Sequence, residues 1–184
     1  MKPEQQNEVK WFDRKFDFSF GMDKYAHLLY RLEQAPILFN QNLSTLSEEV
    51  QILKPNGKWS IKENIGHLAV LEPLWRTRIQ EIKEGKIEMS PADLNNTLTN
   101  ETGFNRNPLD ELLMTFSVER NKTIEILKNL EQIDFSKKSI HPRLQQPMRI
   151  VDTMYFVAEH DQHHLDVMLN IINESWGRQG IPIN

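Results

Sequence analysis

The chain of 184 residues contains no cysteine. That excludes disulfides, thiolate metal ligands and a cysteine nucleophile, and it fits a reducing compartment. Long hydrophobic runs are missing too. No stretch approaches the roughly 20 apolar residues that a membrane span requires, and the opening Met1-Lys2-Pro3-Glu4-Gln5-Gln6 is polar, without the apolar core of a signal peptide. A cytoplasmic protein with no membrane association is expected. Positive charge is in deficit: 22 Lys and Arg against 26 Asp and Glu leave a net charge of -4. The basic residues are scattered, so nothing tracks a phosphate backbone and no nucleic-acid partner is expected. Convincing strand alternation, internal repeats and low-complexity tracts are also absent.

What is there is helical periodicity. With 39% apolar and 26% charged residues, the composition is that of a globular protein, and the length suits one domain over 1–184. A first helix is expected from about Asp23 to Leu46, with Leu28, Leu29, Leu32, Ile37, Leu38 and Leu43 as its apolar members and a kink or break at Pro36. Before it, the aromatic run from Lys10 to Phe18 is expected to pack across the bundle as a lid or a short helical turn. Ser60 and Glu63 form a capping box that opens a second helix, carrying Ile61, Ile65, Leu68, Trp75 and Ile79 on one stripe and ending near Gly85. The polar stretch from Lys86 to Asn107 is long for a loop, so it is either functional or partly helical. Asn107-Pro108 starts a third helix, with Leu109, Leu112, Leu113, Phe116, Ile124, Leu127 and Leu130. The fourth runs from about Met148 to Trp176, stopped by Gly177 and Gly180. Four amphipathic helices in this order predict an all-α fold, a four-helix bundle with long connections.

Helix four contains His160-Asp161-Gln162-His163-His164. Residues four apart share a helix face, so His160 and His164 can grip one ion; His160 and His163, three apart, can do so as well. The apolar stripe centred on Met154, Ala158, Leu165, Met168, Leu169 and Ile172 favours the first pair for a site inside the bundle and turns His163 to solvent. His67 lies on the flank of the second stripe beside Gly66, whose small size allows close approach of another helix. The residues alone do not bring His67 to the other two.

Gly57-Lys58-Trp59-Ser60-Ile61-Lys62-Glu63 with Gly66-His67-Leu68, and Glu159-His160-Asp161-Gln162-His163-His164 about 90 residues later, resemble the two signature regions of the DinB-like family. The start Arg14-Lys15-Phe16-Asp17-Phe18 is similar to that of some members. The resemblance implies a four-helix bundle of DinB type holding one divalent metal with one histidine of the second helix and the outer pair of the fourth, here His67, His160 and His164. It also implies a choice of activities: S-transfer of a low-molecular-weight thiol of the bacillithiol or mycothiol type, or metal-dependent hydrolysis of a small molecule.

Three neutral imidazoles leave metal positions open for water or substrate, the pattern of a catalytic site. Zinc is the first expectation, with nickel, manganese or iron as alternatives, and a low-molecular-weight thiol as co-substrate suits zinc's affinity for sulfur. A metal-dependent transferase is expected ahead of a hydrolase; a non-catalytic metal-binding stress protein and a purely structural bundle are the rival readings. Glu72, on the apolar stripe, is a candidate general base or support for a ligand, set against an ordinary salt bridge to a residue such as Arg76. Asp161 is a candidate to orient a ligand imidazole. His141 is a candidate for a pocket rim, while Trp59, Trp75 and Tyr155 are assigned to the core. His160-Asp161-x-x-His164 is similar to the zincin motif, but no further motif supports a peptidase. A small-molecule substrate is the expected partner, and helix faces of this kind can pair two copies into a homodimer.

Overall fold

The best-marked helix of the chain begins at Ser60. Its side chain accepts from the backbone N–H of Glu63, and the Glu63 carboxylate accepts from the backbone N–H of Ser60, so both halves of the expected capping box are made. Gly85, in the left-handed conformation at φ 73°, ends it. In the computed structural model, which describes residues 10–178, six helices form: α1 (Tyr25–Leu43), α2 (Glu48–Gln51), α3 (Ile61–Glu84), α4 (Thr97–Thr102), α5 (Leu109–Lys128) and α6 (Ile150–Arg178). The long ones are α1, α3, α5 and α6. Helix α6 runs through Gly177, and Gly180 lies outside the described residues.

The core has two apolar ends. Leu28 and Leu32 of α1 meet Trp75, Ile79 and Ile82 of α3, Ile124 and Leu127 of α5, and the start of α6 from Ile150 to Ala158. At the other end Phe39 and Leu43 meet Ile61, Ile65 and Leu68, Leu109 to Phe116, and Met168 to Ile172. Helices α1 and α6 therefore run one way, and α3 and α5 the other. Helices α1 and α3 each pack on both α5 and α6. The parallel neighbours α3 and α5 need a crossover, which is why residues 86–107 are long; that segment contains α4 and a 3-10 turn at Phe104–Arg106, so it is partly helical.

Between the apolar ends lies a polar layer. Among the described residues Arg120 of α5 is the largest fully buried side chain. Its Nε donates to Glu72 Oε1 at 2.7 Å, and its Nη1 and Nη2 donate to Asp161 at 2.6 and 3.0 Å. Burial alone would depress the Arg120 pKa; the two carboxylates outweigh it and raise it. Pro36 does not break α1, contrary to expectation. The carbonyl it leaves without a helical donor, that of Leu32, accepts from Arg120. Ile37 and Leu38, counted as apolar stripe, are exposed, and Ala35 and Phe39 fill the core instead.

A small hairpin corrects the expectation of no strands: β1 (Ser139–His141) pairs antiparallel with β2 (Gln146–Met148), and Ile140 bridges to Glu88. Strands of three residues are too short to show alternation. Among the described residues no helix is long and apolar enough to cross a membrane.

Candidate metal centre

Antiparallel packing of α3 on α6 brings the level of His67 to that of His160 and His164. The three imidazoles are all buried, and each offers a ring nitrogen within 4.8 Å of the others. His160 Nε2 and His164 Nε2 are 3.2 Å apart. Zn–N bonds of about 2.0–2.1 Å in a tetrahedral array separate ligand nitrogens by about 3.3 Å, so the pair has the spacing such an ion needs.

The far sides of two rings are fixed. His164 Nδ1 faces Asn64 Oδ1 at 2.7 Å, and an amide oxygen only accepts, so Nδ1 carries the proton and Nε2 presents a lone pair. His67 Nδ1 lies 3.0 Å from Thr99 Oγ1. His160 Nδ1 is buried without a hydrogen-bond partner among the described residues. All three rings are held neutral. Burial pushes His67 down to about 4, and it pushes His160 and His164 well below the usual histidine range, with neighbouring histidines adding to the effect. Neutral imidazoles with converging lone pairs are the donor set a borderline divalent ion requires, so the residues present fit a metal.

The other expected residues fall differently. Glu72 is engaged in the polar layer: one oxygen accepts from Arg120 and the other from the Thr123 hydroxyl, and its ion pair is with Arg120, while Arg76 pairs with Glu119. Asp161 grips Arg120 rather than a ligand imidazole. His163 is half-buried, not turned to solvent, because the Trp11 ring stacks on it at 5.4 Å. Gly66 makes room not for a bundle helix but for Phe104; a Cβ there would lie 2.4 Å from the Phe104 ring.

Beside the triad opens a cavity of about 630 Å³. The run from Lys10 to Phe18 supplies part of its wall: Trp11 sits in a 3-10 turn with its ring 5.0 Å from that of His160, and Arg14 and Arg31 both pair with Glu159 of α6. Trp59 and Trp75, assigned to the core, also line this cavity; Trp59 is half-buried, with its ring 4.7 Å from that of His67. Tyr155 packs among Phe16, Phe18 and Phe20. His141 lines the cavity as well, buried rather than solvated. Sequence reasoning missed Asn64, Thr99 and the cavity arginines Arg78 and Arg143. Asn64 and Arg78 lie on the same helix as His67, offset from it by −3 and +11 residues, which is a helical face signal; Thr99 and Arg143 come from connectors and carry no such signal.

Three comparisons bear on this geometry. A family model described as the DinB superfamily matches residues 31–168. No curated protein matches the chain. The solved structure of YfiT from Bacillus subtilis, described as a probable metal-dependent hydrolase with an unusual four-helix bundle topology, superposes with a TM-score of 0.76. The match covers 92% of this chain and 95% of that one at 15% sequence identity, a likeness that shows the fold.

Proposed function

Because the chain belongs to the DinB superfamily, we propose that it is a metal-dependent enzyme acting on a small molecule, with His67, His160 and His164 as the metal ligands and thiol S-transfer of the bacillithiol type as its reaction. The observation that carries this is the convergence of three buried, neutral imidazoles on the wall of a cavity of about 630 Å³. A divalent ion held there, zinc first, would lower the pKa of a thiol brought to it and polarise a substrate oxygen.

The chain's own residues do the rest. With no cysteine in the sequence, the thiol arrives as co-substrate; its S–H proton passes to solvent, a C–S bond forms to the electrophile, and the leaving group departs with its electron pair. Asn64 and Thr99 fix the rings of His164 and His67. Trp11 and Trp59 set apolar ring faces against His160 and His67, beside which an apolar part of the substrate packs. Among the described residues that line the cavity Asp93 is the one carboxylate, and it accepts from the backbone N–H groups of Asn95 and Thr97, while Glu72 and Asp161 are held by Arg120 and Glu159 by Arg14 and Arg31. That favours a reaction that needs no carboxylate base. Hydrolysis of a small molecule is the second reading, and the description of YfiT favours it.

The test is elemental analysis of the untagged protein beside a His160→Ala, His164→Ala variant, followed by assay with bacillithiol and a fluorogenic alkyl halide. About one equivalent of metal is expected in the native protein and little in the variant, with metal-dependent thiol consumption. A protein that arrives without metal and refuses zinc, nickel and manganese would sink the reading. Turnover of small esters or amides without thiol would select the hydrolase.

A further inference from the structure

The corner of the cavity away from the triad is unusually rich in hydrogen-bond donors. Arg78 is 2% exposed. Its Nε donates to the Ser90 carbonyl at 2.9 Å, and its Nη1 lies 3.1 Å from His141 Nε2. Arg143 reaches in from the β1–β2 turn; Nη1 donates to the Phe12 carbonyl, and Nη2 is buried with no acceptor among the described residues. The backbone N–H groups of Arg143 and Leu144 both point at His141 Nδ1, each at 3.2 Å. A neutral imidazole has one lone pair and one N–H of its own. Three donors therefore compete for a single acceptor nitrogen on His141.

Charge follows the same pattern. The other arginines that are partly or fully buried among the described residues are matched to carboxylates: Arg14 and Arg31 to Glu159, Arg76 to Glu119, Arg120 to Glu72 and Asp161, Arg149 to Asp152. Arg78 and Arg143 have no carboxylate in ion-pair range among those residues. The acid nearest to Arg78 in sequence, Glu81, spends its oxygens on Ser90 and Lys86. Burial pushes Arg78 down to about 10, offset in part by Glu81 and reinforced by Arg143; His141 is pushed down to about 3 by burial and by both arginines. Two guanidinium groups without a paired carboxylate, beside surplus donors, are costly unless an anion completes them.

We infer that the corner formed by Arg78, His141 and Arg143 is a binding subsite for an oxyanion, a carboxylate or similar group carried by the small-molecule substrate. Between this corner and the triad lie aromatic faces. The Arg78 guanidinium sits 5.4 Å over the Trp75 ring, which also meets His160 at 5.9 Å and Phe156 at 6.0 Å; Arg143 sits 5.8 Å over Phe156, which Trp11 meets at 5.3 Å. A substrate with an oxyanion at one end and an apolar or aromatic body then presents its other end to the histidines. The identity of the reacting end rests on the function proposed above; the subsite does not.

Calorimetric titration with hydrocinnamate and its neutral amide, hydrocinnamamide, tests this in protein stripped of metal. The acid is expected to bind about tenfold tighter than the amide or better, the range of a hydrogen bond to a charged group. Arg143→Gln is expected to bring the two within about twofold by weakening the acid alone, the amide serving as the check that the cavity is formed. Arg143→Lys, which keeps the charge, retains part of the preference. Equal affinities in the native protein, or no measurable binding of the acid, would overturn the inference. So would a preference for the acid that appears only on adding zinc and survives Arg143→Gln, because the anion would then sit on the metal. Failure of the protein to hold metal would remove the proposed reaction and leave this result untouched.

Discussion

The carbonyl of Leu32 accepts a hydrogen bond from Arg120 Nη1 at 3.3 Å, and it is free to do so because Pro36, four residues on, has no N–H. A residue expected to break α1 instead leaves an acceptor in the middle of the bundle, where the buried guanidinium joins α1, α3, α5 and α6. Removing the cation would leave Glu72 and Asp161 buried without it. Arg120→Met is expected to cost about 3–5 kcal/mol in urea unfolding, whereas the triple change Glu72→Leu, Arg120→Met, Asp161→Leu recovers most of that. A loss under about 1 kcal/mol for the single variant would show that the layer is not held by this charge.

Gly66 and Phe104 make a second prediction. Gly66→Ala gains helix propensity, worth about 1 kcal/mol. Against that, its Cβ would lie 2.4 Å from the Phe104 ring, and such overpacking costs about 1–3 kcal/mol. The same connector carries Thr99, so a displaced Phe104 disturbs the partner of His67 as well. The variant is expected to melt lower and to bind metal more weakly. An unchanged melting temperature with intact binding would mean that Phe104 has room to turn aside.

Much of this was legible from the residues because it is local. The Ser60–Glu63 box spans four residues, and the His160–His164 pair needs about one helical turn. The polar layer was harder. Arg120 lies four residues after Phe116 and seven before Leu127, on the buried face of α5, so a charged residue stood in an apolar stripe; its partners sit on two other helices, which no helical period can pair. The cavity corner was out of reach for a different reason. His141 and Arg143 belong to a hairpin of two three-residue strands, and their approach to Arg78 is fixed by tertiary packing alone. His163 was placed in solvent by the helical wheel because a wheel cannot see Trp11, 152 residues earlier in the chain.

Fixing a ligand ring from behind is worth about 10–100-fold in metal affinity. Asn64→Ala removes the acceptor for His164 Nδ1, and Thr99→Val removes the partner of His67. Each is expected to weaken zinc binding by that range in competition with a chromogenic chelator, while Thr115→Val, a change at an exposed hydroxyl of α5, leaves it unchanged. Full affinity in both site variants would show that packing alone sets the ring orientations.

Four buried histidines also set the response of the metal-free protein to acid. His67 titrates near 4 and His141 near 3 in the folded state, His160 and His164 well below their ordinary value, and burial is the chief cause for each. In the unfolded chain each titrates near about 6.5. Above that pH neither state is protonated and stability is fully present. As the pH falls through about 6.5 the unfolded chain takes up protons that the folded protein refuses, so stability is lost, by up to about 1.4 kcal/mol per pH unit for each histidine. Carboxylates in their ordinary range titrate lower; burial raises Asp161, but it is common to the protein and to a variant of the triad, so the difference between the two isolates the histidines across the window from about pH 6.5 to 5. Urea unfolding of the stripped protein at intervals across that window is expected to show a steep fall. Replacing the three triad histidines by asparagine should flatten the profile by up to about 1.4 kcal/mol per pH unit for each histidine removed and leave the share of His141. A flat profile in the unsubstituted protein would mean that the folded state admits the protons, and hence that water reaches the rings the geometry encloses.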